Sequence, residues 1–165
     1  MKNLLVVAML LTVISFCAAQ SVDSIPNLQH PQFQIYTAGQ PTEDGFRQAA
    51  EMGIKTVINV LPEKDCIPDE ARIVTANGMT YITLPFETTG LKKETVDRFA
   101  AILHNAQKPV LIHCRTGNHV GGLWFAYRVL SQDTPLWLAL KEGRQVGMNA
   151  QMEDNLFDWV YKQKS

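Results

Sequence analysis

Two mostly apolar runs, the β-branched Ile54–Leu61 (IKTVINVL) and the shorter Pro109–His113 (PVLIH), constrain this chain more than any other feature. Neither run alternates with polar residues, so each suits a strand buried on both faces, which needs helices above and below it. Helical signals lie on either side of them. Thr42 can cap a helix running to Met52, with Gly53 as its stop. Pro68 to Asn77 is helical in pattern and ends at Gly78, and Met79 to Leu84 is strand-like. After a turn over Thr88 to Leu91, Val96, Phe99, Ala100 and Leu103 recur at helical spacing. His119–Leu130, Pro135–Arg144 and Met152–Tyr161 complete the helices, while Phe33–Tyr36 alternates as a short strand. Strands alternating with helices predict an α/β fold, a mostly parallel sheet of four to five strands with helices on both faces. The domain is expected over residues 33–165, preceded by an extended lead-in over 20–32.

Composition narrows the function. A chain of 165 residues with 46% hydrophobic and 19% charged residues is globular and long enough for one domain. Its net charge of -1 and the absence of any Lys/Arg run give no footprint for a nucleic-acid partner. Three cysteines are too few for a disulfide scaffold. No Cys/His spacing suggests zinc, and no metal or cofactor is expected.

The first residues have a different purpose. Met1 and Lys2 precede an apolar stretch from Leu4 to Phe16, then Cys17-Ala18-Ala19. That is the pattern of a secretory signal peptide over residues 1–19, and it falls short of the roughly 20 apolar residues of a spanning helix. An uncleaved anchor is the rival reading. Lipidation of Cys17 is disfavoured by the bulk of Phe16. The expected location is periplasmic or secreted, with no stable membrane insertion after cleavage, in a compartment where disulfides persist.

Ligands of such sheets bind beyond the carboxyl ends of the strands. There the chain reads PVLIHCRTGNHVGGLWFAYRVL. A buried strand delivers Cys114 to a short loop, and a helix follows at once. The N–H groups and dipole at a helix start attract an anion and favour the thiolate, the nucleophilic form of cysteine.

Ile112–Gly122 resembles the signature loop of cysteine-dependent protein phosphatases, which reads His-Cys, five residues, then Arg, with a glycine three after the cysteine. His113, Cys114 and Gly117 match. Upstream, TAGQPTEDGFRQAAEMGIKTVINVLPEKD resembles a bacterial family of beta-lactamase-hydrolase-like, phosphatase-like proteins, and the likeness runs from about Tyr36 to Trp159. It implies a cysteine-phosphatase-like fold, a phosphorylated substrate, Cys114 as nucleophile and a phosphate cradle over Arg115, Thr116, Gly117, Asn118 and His119. The departure is the arginine. The phosphatase signature places it at Val120, and the beta-lactamase-hydrolase-like group often places it one residue earlier, at His119. A histidine supplies positive charge only when protonated. Cys114-Arg115-Thr116-Gly117-Asn118 also resembles the loop of rhodanese-type sulfurtransferases, whose last arginine would again be His119.

Thiolate-based phosphoryl transfer also needs an acid for the leaving oxygen. Glu87 after the Met79–Leu84 strand and Asp65 after the Ile54–Leu61 strand are the candidates; the bland alternative for each is a solvated loop carboxylate. Cys66 falls at the same sheet edge, either as a free thiol or as a disulfide partner of Cys114. His113 reads as a structural hydrogen-bonder beneath the loop. The chain is therefore expected to be a secreted phosphatase-like hydrolase, weak or inactive without the arginine. A sulfurtransferase using a Cys114 persulfide and a silent anion-binding module are the alternatives.

Overall fold

The computed structural model describes residues 24–87 and 90–164. The expected signal peptide, and residues 88 and 89 of the expected turn, lie outside them. Among the described residues, β1 (Gln29–Gln32), β2 (Ile35–Ala38), β3 (Thr56–Asn59), β4 (Thr80–Thr83) and β5 (Val110–His113) form one sheet in the order β1-β2-β5-β3-β4. β1 is antiparallel to β2, and every other pairing is parallel. The helices are α1 (Glu43–Glu51), α2 (Glu70–Ala76), α3 (Lys93–Asn105), α4 (Asn118–Gln132), α5 (Leu136–Val146) and α6 (Ala150–Lys164). This is the predicted α/β architecture.

All residues of β3 and β5 are buried, including the polar Thr56, Asn59 and His113, as suits mostly apolar strands covered on both faces. Successive side chains point to opposite faces. Val57 and Leu111 therefore pack with Phe46 and Ala49 of α1 and Val74 of α2. Ile58, Val110 and Ile112 join the larger core on the other side, with Phe99 of α3, Trp124 of α4 and Leu156 of α6. Thr42 caps α1 as expected, its Oγ1 accepting the Gly45 N–H at 3.1 Å.

Two details differ from the sequence reading. Residues 29–32 of the lead-in form β1 and belong to the sheet. Phe33 and Gln34 are the tip of the β1–β2 hairpin rather than strand, because Gln34 takes a left-handed φ of 59° and Phe33 is 80% exposed. Period-two alternation does not separate a strand from a two-residue turn flanked by strands.

Four parallel strands bring four carboxyl ends to one edge. Gly39–Pro41 leaves β2 there, a 3-10 turn Glu63–Asp65 follows β3, Pro85–Glu87 follows β4, and Cys114–Gly117 follows β5.

Candidate active site

Cys114 stands one residue beyond β5 and is 0% exposed. Its Sγ accepts the Gly117 N–H at 3.2 Å. The loop holds this shape through its carbonyl groups. The Arg115 carbonyl accepts the Gln40 N–H at 3.0 Å, and the Thr116 carbonyl accepts from Asn27 Nδ2 at 3.3 Å. Asn27 Nδ2 also donates to the Val146 carbonyl at 2.8 Å, tying the loop to the end of α5. On the far side, Asn118 Oδ1 accepts the Asn149 N–H at 2.9 Å. That carbonyl oxygen braces the loop, a role distinct from the phosphate contact expected of Asn118. α4 can approach this connection because Gly121 has no side chain: a Cβ there would lie 2.4 Å from Met148 N.

Gly117 is required twice over. Its φ of 96° lies where side-chain-bearing residues are strained, and a Cβ would meet Asn27 Nδ2 at 2.5 Å and the Val146 carbonyl at 2.8 Å. It is the residue before α4. The first N–H groups of that helix have no carbonyl partner within it, which leaves donors facing the site.

Behind the cysteine lies a buried polar cluster. Glu70, 2% exposed, accepts from Gln40 Nε2 at 2.6 Å, Asn59 Nδ2 at 2.8 Å and the Tyr81 hydroxyl at 2.7 Å. His113 Nε2 is 3.2 Å from Glu70 Oε1, within ion-pair distance but off the line of a ring N–H hydrogen bond. Burial alone would push the Glu70 carboxyl up. The contact and charge of His113, with the donors Tyr81 and Gln40, outweigh it and hold Glu70 below the ordinary carboxylate range. Burial, then Glu70, pushes the Tyr81 phenol well up, so it remains a donor. His113 is buried beneath the loop, but neither ring nitrogen makes the hydrogen bond expected of it; its polar neighbour is the Glu70 carboxylate.

Both candidate acids reach the rim of the site, each ion-paired. Asp65 Oδ1 is 3.7 Å from the Arg115 guanidinium, and Glu87 Oε1 is 3.1 Å from Lys64 Nζ. Between these pairs His119 packs edge-on against Phe86, with ring centroids 5.3 Å apart. Partial burial lowers the His119 pKa below its usual value; Glu87 and Asp65 oppose this and Lys64 reinforces it. Val120 is 1% exposed and sits in the main core. Position 119, and not 120, therefore faces the rim.

Cys66 and Cys114 are both free. The Cys66 thiol is half-buried and pushed up by burial, then by Glu70, Glu63 and Asp65. Among the described residues no group of three or more His, Cys, Asp or Glu side chains is placed to hold a metal.

Sequence reasoning missed Lys64, Glu70 and Asn27. Lys64 and Glu70 had a signal, since Lys64 follows the carboxyl end of β3 and Glu70 opens α2, so both fall at the same sheet edge as Cys114. Asn27 had none: it meets Thr116 across 89 residues of chain.

Known proteins resemble this chain in sequence and in fold. The chain is 26% identical over 143 residues to the dual specificity protein phosphatase TpbA of Pseudomonas aeruginosa (strain UCBPP-PA14); the match takes in 85% of this chain and spans 62% of that protein's length. A crystal structure of a candidate phosphatase from Shewanella putrefaciens CN-32 superimposes with a TM-score of 0.67 at 27% identity, covering 86% of this chain and 95% of the other. Another, from Neisseria meningitidis z2491, gives a TM-score of 0.67 at 24% identity over 85% and 97% of the two chains, which is a likeness of fold. Residues 31–132 match the family described as beta-lactamase hydrolase-like protein, phosphatase-like domain, and the chain belongs to that family.

Proposed function

We propose that this chain is an exported cysteine-dependent hydrolase of phosphate esters, with turnover reduced by the absence of the loop arginine. One observation carries the reading: the buried Cys114 sulfur accepts the Gly117 N–H at 3.2 Å immediately before the start of α4. The same loop N–H that meets the sulfur, with those of the helix start, suits the oxygens of a phosphoryl group held over it. The Cys114 thiolate attacks phosphorus and the bond to the leaving oxygen breaks. Glu87 or Asp65 donates a proton to that oxygen. Water then attacks the phosphocysteine, giving its proton back to the carboxylate and releasing inorganic phosphate and thiolate. The loop from Arg115 through Thr116, Gly117 and Asn118 to His119 is the proposed cradle, to which Asn118 contributes its backbone N–H while its side chain braces the loop. Losing one preorganised donor costs about a hundred- to thousandfold in such chemistry. Export rests on the pattern of Met1-Lys2, Leu4–Phe16 and Ala18-Ala19.

The test is release of phosphate from a generic aryl phosphate by purified protein, with Cys114→Ser as control, beside a thiosulfate–cyanide assay. Phosphate release lost in Cys114→Ser supports the reading. Sulfur transfer without phosphate release replaces it with the sulfurtransferase, and phosphate binding without turnover in either assay replaces it with a silent binding module. Cell fractionation with N-terminal sequencing tests export, and a mature chain starting at Gln20 is expected.

A further inference from the structure

The loop lacks its arginine, yet a phosphoryl dianion held by backbone N–H groups alone lacks a mobile countercharge. Three basic side chains border the loop, and they are held differently. The Arg115 guanidinium is directed to Asp65 at 3.7 Å. The His119 ring is packed against Phe86, and its pKa shift disfavours the charged form. Lys64 rises from the 3-10 turn after β3, its Nζ 3.1 and 3.3 Å from the two Glu87 oxygens, and it acts through space on His119. Lys64, Phe86 and Glu87 line one cavity, and Phe86 packs against His119, so the lysine stands on the side of the loop where position 119 lacks an arginine.

We propose that Lys64 substitutes for the missing loop arginine, exchanging its Glu87 partner for the phosphoryl group of the substrate. The proposal rests on the phosphatase reading and adds the residue that binds the dianion. The exchange is cheap. The Lys64 and Glu87 side chains are 69% and 55% exposed, and an ion pair so exposed contributes little to stability. A phosphoryl group presents more charge and more acceptor oxygens than one carboxylate. Sequence spacing could not reveal this, because Lys64 lies fifty residues before Cys114 on another strand's loop.

Inorganic phosphate titrated calorimetrically into the full mature chain, at low and at moderate salt, tests the exchange. Lys64→Ala should weaken phosphate binding about tenfold, as expected for loss of a charge-assisted hydrogen bond. Lys64→Arg should stay within about twofold of the parent. Glu87→Gln frees the lysine and should tighten binding severalfold, and that gain should vanish in Lys64→Ala/Glu87→Gln. Adding His119→Arg to Lys64→Ala should restore affinity, and by a larger factor than His119→Arg gains in the parent, where Lys64 already supplies the charge. Lys64→Ala binding phosphate as the parent does would overturn the proposal, as would an equal Glu87→Gln gain with and without Lys64. If that happens in a protein that still hydrolyses aryl phosphate, only the role of Lys64 fails. A parent protein that neither binds phosphate nor hydrolyses the ester removes both readings.

Discussion

Glu70 and His113 stand 3.2 Å apart from Oε1 to Nε2, with 2% and 0% of their side chains exposed, one residue before the cysteine. A carboxylate so placed is tolerated because Gln40, Asn59 and Tyr81 also donate to it. The sequence separation of the pair is large, but β3 and β5 are neighbours, and Asn59 is in register with His113. The cluster thus ties the loop after β3 to the base of the cysteine loop.

Glu70→Ala is expected to destabilise the fold by about 3 kcal/mol or more, since it strands buried donors. Glu70→Gln keeps the volume but should cost less at low pH than at pH 7. The sign follows from the depressed carboxyl: its stabilisation is present above the unfolded carboxylate value of about 4.3 and is lost as pH falls through the folded one. Urea unfolding midpoints of parent and variants at pH 7 and pH 4 check both statements; a deficit of Glu70→Gln that grows in acid would contradict the second.

His119→Arg and Val120→Arg should part company. Position 119 borders the rim, whereas Val120 is packed in the core. His119→Arg is expected to raise aryl phosphate turnover by about tenfold or more. Val120→Arg should instead bury an unpaired guanidinium and lower stability by several kcal/mol, about 3 or more. Initial rates and thermal midpoints of the two variants decide it.

Anion binding should respond to pH through His119 only in mild acid. Its folded pKa lies below the usual 6.5, so the imidazolium appears only as pH falls under that value. Sulfate remains a dianion across this range and is the suitable probe. Affinity should be level from pH 8 to 7 and rise below about pH 6.5, and His119→Ala should abolish the rise. A rise centred above pH 7 would refute the burial argument.

Gly117→Ala should disable the site without unfolding the sheet. The new Cβ meets Asn27 and the Val146 carbonyl, and the left-handed backbone is strained for alanine. A loss of about 1–3 kcal/mol in stability is expected, with a much larger proportional loss of phosphate binding. Equilibrium unfolding beside phosphate titration separates the two effects.

The sequence alone determined the layered α/β fold, because mostly apolar, non-alternating runs such as those holding TVIN and VLIH suit strands covered by helices on both faces. It also determined the cysteine loop, since Cys114, Gly117 and the helix after them are local, contiguous signals. Capping at Thr42 was equally legible, for the same reason. Tertiary structure decided the rest. Only strand order brings the 3-10 turn of Lys64 and Asp65 and the loop of Glu87 to the rim of a cysteine on another strand. Only packing shows that position 119 faces that rim while Val120 is committed to the core, a difference of one residue that no one-dimensional spacing resolves. The reason is physical: strand and helix patterns arise from periodic burial along the chain, whereas charge pairing and loop bracing depend on which distant backbone segments the sheet makes adjacent.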